Sequence, residues 1–134
     1  MTGKFLHSAC AATVLTAGLL AGSASSASAD SRYGCEWPRV CFYLTQADRN
    51  ANRPTAAYQD AGYNQTLGPN SRGADSVYNS RNDDIALVRV GTSSVAVCIS
   101  PNQSQGFDAT ITITAVRIQY EPSTCPSQLM TWPS

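Results

Sequence analysis

The chain is 134 residues long, with nine basic and nine acidic side chains and a hydrophobic fraction of 43%. We expect one small domain from this length once the leader described below is set aside. The arginines are scattered singly along the sequence, so it contains no basic stripe for nucleic acid or for an anionic membrane. We therefore exclude both as partners.

Residues 1–29 predict a secretory signal peptide. An apolar run over residues 11–22 is followed by small residues that lead to a cleavage site at Ala27-Ser-Ala29. A membrane anchor is the alternative, but the run is shorter than the roughly 20 residues that a spanning helix needs. A lipoprotein anchor would use Cys10, which precedes the apolar run instead of following it. We therefore expect cleavage after Ala29 and secretion of the mature chain.

The mature chain, residues 30–134, shows short apolar runs separated by turn-rich stretches, which is typical of an all-β domain. Strands are predicted over residues 39–44, 55–58 and 76–79, and a hairpin from 85–90 and 94–99 around the Gly91-Thr-Ser-Ser94 turn. Loops are predicted over residues 45–54, 60–70 and 100–106, with a turn at 81–84.

Residues 110–120 form the clearest strand. Ile111 and Ile113 alternate with threonines, which predicts that both lie on one buried face. The apolar residues of 116–120 then fall at even positions, so a flat strand cannot bury both sets on the same side. We expect a β-bulge or a tight turn near residues 114–115, or two strands in place of one.

A weak internal repeat supports a two-part architecture. Residues 40–46 and 74–78 form one strand–loop–strand unit, and residues 95–100 and 113–118 form a second one. Two units of four strands each predict two Greek keys packed as a sandwich. The tail after residue 120 contains three prolines, and we expect Cys125 to tie it to the body.

Four cysteines remain after removal of the leader: Cys35, Cys41, Cys98 and Cys125. An even number in a short exported chain indicates two disulfides, for which three pairings are possible. The short spacing between Cys35 and Cys41 favours that bond, which leaves Cys98 to pair with Cys125. A zinc site is the alternative, but no Cys-x-x-Cys spacing is present. We expect no metal and no cofactor.

The composition also argues against catalysis. The leader contains the only lysine, Lys4, and the only histidine, His7, so the mature chain has neither a Ser-His or Cys-His pair nor a Schiff-base lysine. Glycoside hydrolysis by two carboxylates is the surviving enzymatic alternative. The obvious pair, Asp83 and Asp84, are neighbours, and neighbouring side chains on an extended chain point to opposite sides. We therefore expect a protein that binds and is not an enzyme.

Several segments resemble a known family. They are Cys35-x5-Cys41, Cys41-Phe-Tyr-Leu44, Tyr63-Asn-Gln-Thr-Leu-Gly68 and Ala74-Asp-Ser-Val-Tyr-Asn79. Together they resemble the actinobacterial peptidase inhibitors related to the Streptomyces metalloproteinase inhibitor. The resemblance implies a βγ-crystallin-like fold and a secreted, monomeric inhibitor whose partner is an extracellular metalloprotease.

The resemblance also implies a site. The matching residues place the inhibitory reactive bond between Cys98 and Ile99, where Ile99 supplies the apolar side chain that a thermolysin-like protease prefers after the scissile bond. The alternative is that both residues belong to a core strand. Crystallin-like domains often bind calcium, but residues 71–76 and 82–87 each supply only part of that motif, so we expect no calcium site.

A second functional class stays open. A toxin-like, cell-wall-binding or glycan-binding module would use exposed aromatic side chains, for which the candidates are Trp37, Tyr63, Tyr78 and Trp132. The alternative for each of these residues is a place in the core with its polar tip outward. A purely structural exported protein is a third possibility.

Overall fold

The computed structural model describes residues 31–134, and the predicted leader lies outside the described residues. Within this range there are nine strands and one short helix. They are β1 (Val40–Tyr43), α1 (Gln46–Asn50), β2 (Ala56–Tyr58), β3 (Gln65–Thr66), β4 (Ser76–Asn79), β5 (Ile85–Val90), β6 (Val95–Ile99), β7 (Ser104–Gly106), β8 (Ile113–Gln119) and β9 (Leu129–Thr131). The predicted all-β class is confirmed. No helix of the described residues has the length and apolar character needed to cross a membrane.

The strands form two antiparallel sheets. The first sheet has the order β2-β1-β4-β7, and the second has the order β3-β8-β5-β6-β9. The chain thus divides into two units, β1–β4 and β5–β8, and each unit places its third strand in the sheet of the other one. Strand β3 pairs with β8, while β7 pairs with β4. This exchange joins the two halves through backbone hydrogen bonds as well as through side-chain packing.

The main core lies between the two sheets. It consists of alternate residues of the facing strands and of two loop residues: Val40, Phe42, Leu67, Ala74, Val77, Ala86, Val88, Ile99, Ile113, Val116 and Ile118. These side chains are almost fully buried, and burying a residue of this kind stabilises the fold by roughly 1.5–3 kcal/mol.

Each sheet also has a small hydrophobic cluster on its outer face. On the first sheet, Tyr43 and Tyr78 are covered by the N-terminal segment, which includes Tyr33 and Cys35. On the second sheet, the cluster of Ile85, Leu87, Ala96 and Cys98 is covered by the tail through Cys125, Met130 and Trp132. All four residues of β1 are buried for this reason, because both faces of the strand are covered.

A disulfide fastens each of these covering segments. Cys35 bonds to Cys41, and Cys98 bonds to Cys125, with Cα atoms 5.8 Å apart in both pairs. The pairing favoured by the sequence is therefore confirmed, as is the attachment of the tail through Cys125. In a domain of this size such a bond typically contributes about 2–4 kcal/mol.

The phase change in the longest strand is produced by a β-bulge. Arg89 of β5 lies opposite Ala115, but Val90 lies opposite Ile113, so Thr114 is the extra residue. The bulge lets Ile113 and the later Val116 share the buried face, and it is one of the three solutions that the sequence left open. One expectation was wrong. Ile111 lies before the strand and is 37% exposed, because a turn from Asp108 to Ile111 precedes β8.

The short elements at the margins were not predicted. The helix α1 and the strands β3 and β7 fall in segments expected to be loops, and β9 falls in the tail. Thr45 caps α1 in a capping box, with Asp48 in the position that Glu or Gln more often occupies. The predicted strands at 39–44, 55–58 and 76–79 and the hairpin are confirmed to within two residues.

Candidate functional site

The residues of the implied reactive bond lie inside the second sheet. Cys98 is 6% exposed and Ile99 is 2% exposed. Both are paired with β5, through Leu87 and Ala86, and the amide of Cys98 donates to the carbonyl of Gln128 in the tail. Entry of this bond into a protease cleft would require the sheet to open locally. The reactive-bond hypothesis stays a prediction, and the observed burial does not support it.

The predicted aromatic candidates divide into two groups. Trp37 is 49% exposed and Tyr63 is 51% exposed, so both are available at the surface. Tyr78 is buried and Trp132 is half-buried, and both pack within the outer-face clusters.

The two neighbouring carboxylates also separate. Asp83 is exposed, whereas Asp84 is buried and accepts a hydrogen bond from Arg81. Asp84 therefore forms part of a structural ion pair. Within residues 31–134, no group of three or more histidine, cysteine or acidic side chains could hold a metal ion.

The turn between β5 and β6 is an exposed segment whose backbone is held by several hydrogen bonds. We call residues 91–95 the tip loop. The Nε and Nη2 atoms of Arg89 donate to the carbonyls of Ser93 and Thr92, both at 2.8 Å. The hydroxyl of Ser93 donates to the carbonyl of Val90 at 2.7 Å, and the Ser93 amide donates to the same carbonyl at 3.2 Å. The Arg89 side chain and the hydrogen bonds of Ser93 to Val90 thus fix the backbone of the tip loop from within the hairpin.

Neighbouring segments hold the tip loop from outside. The Gly91 amide donates to the carbonyl of Thr112 at 2.7 Å, and the hydroxyl of Thr114, the bulge residue, donates to the carbonyl of Gly91. On the other side, the Trp132 amide donates to the carbonyl of Ser94 at 2.7 Å. The guanidinium of Arg89 lies 5.9 Å from the centre of the Trp132 ring, within reach of a cation–π contact. The loop is therefore supported by three parts of the chain.

An apolar side chain projects at the end of this loop. Val95 is 40% exposed although it begins a strand, because its only cross-strand partner in the ladder is Thr131 of β9. Leu129, opposite Val97 on the same pair of strands, is 62% exposed. The tip loop thus presents polar Thr92, Ser93 and Ser94 followed by an apolar residue. The sequence predicted the turn but gave no sign of the support from Arg89 and Trp132.

A polar cleft lies where the chain crosses from the first sheet to the second. It has a volume of about 390 Å³ and is lined by Arg39, Ala57, Tyr58, Gln59, Asp60 and Gln65. The hydroxyl of Tyr63 donates to Asp60 at 3.0 Å beside the cleft. This hydrogen bond raises the pKa of Tyr63.

Comparison with known proteins identifies no relative: no protein-family model, no curated protein and no solved structure matches the chain.

Proposed function

We propose that this protein is an exported inhibitor of an extracellular peptidase and that it inserts the tip loop into the peptidase cleft. The observation that carries the proposal is the fixation of the loop by Arg89. Two hydrogen bonds from its guanidinium to the carbonyls of Thr92 and Ser93 hold an otherwise exposed turn. Binding of an already ordered loop loses less conformational entropy than binding of a flexible one, so the same contacts give a higher affinity.

A metallopeptidase of the thermolysin type is the proposed target. Such an enzyme prefers an apolar side chain after the scissile bond, and Val95 is the exposed apolar residue of the tip loop. We therefore place the reactive bond between Ser94 and Val95, four residues before the bond implied by the resemblance. The carbonyl of Ser94 is held by the Trp132 amide, which resists displacement of this bond.

The proposed fold and compartment agree with this function. The exchange of the third strands between the sheets is the arrangement expected for two Greek keys, and we propose a βγ-crystallin-like sandwich on that basis. Two disulfides suit an oxidising compartment, and together with the signal-peptide pattern they support secretion. Without a lysine or histidine in the mature chain, binding is a simpler role than catalysis.

The test is an inhibition assay with protein recovered from the medium of an exporting host. Thermolysin, subtilisin, papain and pepsin are each titrated with the protein, and we expect near-stoichiometric inhibition of thermolysin. Val95→Asp should raise the inhibition constant by at least about 30-fold, which corresponds to a binding hot spot of about 2 kcal/mol. Tyr120→Asp, at a residue that is 62% exposed outside the tip loop, is the matched control.

A second variant tests the role of rigidity. Arg89→Ala removes the two hydrogen bonds that fix the loop but leaves Val95 in place, and we expect about ten-fold weaker inhibition. Absence of inhibition for all four peptidases would refute the proposed function. Inhibition that Val95→Asp leaves unchanged would refute the tip loop as the site.

Carbohydrate binding is the second candidate function. The observation in its favour is the polar cleft beside Tyr63, whose volume lies within the usual range for ligand sites of roughly 300–1,000 Å³. Its amide, carboxylate and guanidinium groups can exchange hydrogen bonds with sugar hydroxyls. Sedimentation with insoluble cell wall or chitin, lost in Tyr63→Ala and accompanied by no peptidase inhibition, would favour this function over the first.

A further inference from the structure

Two arginines that are far apart in the sequence share one tyrosine ring. The guanidinium carbon of Arg49, on α1, lies 4.2 Å from the centre of the Tyr33 ring, and that of Arg32 lies 4.9 Å from the same centre. Tyr33 in turn contacts Tyr78 edge-on, with ring centres 5.5 Å apart. The fold therefore concentrates two positive charges on the outer face of the first sheet, next to the disulfide between Cys35 and Cys41.

No acidic side chain of the described residues lies within ion-pair distance of either charge. Among residues 31–134 the ion pairs involve Arg39, Arg53 and Arg81, and neither Arg32 nor Arg49 takes part in one. Arg49 donates through Nη2 to the hydroxyl of Ser104 at 3.1 Å, but its Nε is buried without a hydrogen-bond partner. A buried donor left unpaired is unfavourable, so a ligand oxygen that reached it would bind favourably.

A cleft opens beside Arg32. It has a volume of about 310 Å³ and is lined by Ser31, Arg32, Tyr78 and Asn102. Asn102 has a φ of 58°, in the left-handed region that asparagine tolerates, and its Nδ2 donates to Asn82 at 3.1 Å. Its Oδ1 is buried without a hydrogen-bond partner. The cleft and its margin thus offer unpaired cationic donors together with an unpaired acceptor.

We propose that this cleft binds one acidic unit of an extracellular polymer, either a uronic acid of a polysaccharide or a polyol phosphate. An oxyanion of this unit would accept charge-assisted hydrogen bonds from the Arg32 guanidinium that lines the cleft, next to the second positive charge that Arg49 places on the Tyr33 ring. A hydroxyl of the same unit would donate to Oδ1 of Asn102. The shared chemistry is an oxyanion with an adjacent hydroxyl, which both a uronic acid and a polyol phosphate possess.

The charge distribution distinguishes this ligand from nucleic acid. Affinity for nucleic acid comes mainly from many phosphate contacts along a track of basic residues. Here the guanidinium groups of Arg32 and Arg49 lie 4.9 Å and 4.2 Å from the centre of a single tyrosine ring, and the mature chain has a net side-chain charge of −1, from eight arginines and nine acids. One anionic group suits this arrangement better than a continuous polyanion.

The proposal does not depend on the inhibitory function. The tip loop belongs to the hairpin of the second sheet. Arg32 and Arg49 lie against Tyr33 on the outer face of the first sheet. Both sites could act in one molecule. Binding of an acidic polymer would then hold the protein near the surface where an extracellular peptidase works.

The test is a calorimetric titration of the purified protein at low ionic strength, where charge interactions are least screened. The probes are trigalacturonate, its neutral methyl ester and a glycerol phosphate trimer. We expect trigalacturonate or the phosphate trimer to bind at submillimolar concentration and the neutral ester to bind at least ten-fold more weakly. The stronger of the two acidic probes identifies the source of the oxyanion.

Matched variants place the site. Arg32→Gln removes one exposed guanidinium and should weaken binding of the acidic probe about ten-fold, and Asn102→Ala should weaken it as well. Arg72→Gln, at an exposed arginine outside the cleft, is the control and should bind like the parent protein. The thermal midpoint of each variant establishes that it is folded.

Three results would overturn the proposal: no binding of either acidic probe, equal binding of the acidic and neutral sugars, or unchanged binding by Arg32→Gln. In the first of these cases, a tripeptide titrated as a further probe and bound through its terminal carboxylate would identify a peptide ligand instead. None of these results bears on inhibition by the tip loop, so the two proposals fail separately.

Discussion

The guanidinium of Arg81 donates a hydrogen bond to the carboxylate of Asp84, and both side chains are largely buried at the turn between β4 and β5. The same guanidinium reaches the carbonyl of Pro38 at 2.8 Å and that of Gln59 at 3.1 Å. One side chain thus connects the turn to the N-terminal segment and to the start of the sheet-crossing loop. This ion pair acts as a structural junction between three segments.

We expect Arg81→Met to lower the free energy of unfolding by about 3–5 kcal/mol, because it leaves the Asp84 carboxylate buried without a partner. Urea denaturation measures the change. The double variant Arg81→Met with Asp84→Asn should recover part of the loss, since the uncompensated charge is removed. Arg53→Gln is the control, because the Arg53 side chain is 73% exposed and its ion pair with Asp48 should contribute less than about 1 kcal/mol. A loss below about 1 kcal/mol for Arg81→Met would contradict the proposed role.

The glycine before the first disulfide leads to a second prediction. Gly34 has a φ of +74°, and a Cβ at this position would lie 2.1 Å from the carbonyl oxygen of Asn52. Gly34→Ala should therefore destabilise the fold by more than the roughly 1–2 kcal/mol that a left-handed conformation alone costs a residue with a Cβ. Gly73→Ala separates the two effects, because Gly73 has a φ of +68° with open space around it. Equal losses in the two variants, measured by thermal denaturation, would show that the contact with Asn52 is unimportant.

The two disulfides should differ in their contribution to stability. The Cys98–Cys125 bond joins residues that are 27 positions apart in the sequence. The Cys35–Cys41 bond joins residues that are 6 positions apart. Because the entropy that a cross-link removes from the unfolded chain grows with loop length, the longer loop should contribute about 1 kcal/mol more. Replacing each pair by alanines and comparing the free energies of unfolding tests the order. A larger loss for the Cys35–Cys41 replacement would indicate that packing of the N-terminal segment dominates.

Alkaline pH should destabilise the protein through Tyr43. The side chain is fully buried and its hydroxyl donates to the carbonyl of Tyr33 at 2.9 Å, and burial raises the pKa of Tyr43 well above its ordinary value of 10.0. The unfolded chain therefore releases this proton first, and the stabilising contribution, complete below pH 10, is lost as the pH rises further. The expected slope is about 1.4 kcal/mol for each pH unit above 10.

The measurement is urea denaturation from neutral pH to about pH 11. Tyr43→Phe should be less stable at neutral pH, because the hydrogen bond is lost, but its stability should fall less steeply above pH 10. Tyr120→Phe, at an exposed ring, should follow the parent protein. Parallel curves for the parent protein and Tyr43→Phe would contradict the assignment.

The strands that fill the core were predictable from the sequence because their apolar periodicity is a local property. The bulge at Thr114 was also predictable, since a shift in that periodicity between Ile113 and Val116 has few structural solutions. Strands β3, β7 and β9 were not predictable. They have two or three residues each, and they are strands because neighbouring chains supply partners for them.

The candidate sites were less visible in the sequence than the fold. Scattered arginines indicated no basic surface, yet folding brings Arg32 and Arg49 to one ring, because α1 packs beside the N-terminal segment. Likewise, the sequence pattern around Cys98 does not reveal that strand β5 and the C-terminal tail both pack against this residue. Contacts of this kind depend on long-range topology, which a single sequence does not show.

The reciprocal placement of β3 and β7 affects how the protein would respond to a break in its backbone. Cleavage within residues 80–84 would divide the chain into fragments that each lack the strand completing their own sheet. Neither fragment contains all the strands of a complete sheet. The two fragments should therefore stay associated after cleavage, and they should recombine if they are separated and then mixed. Cleavage at this position would leave the elution volume in native size-exclusion chromatography unchanged, and the two fragments would separate only after denaturation.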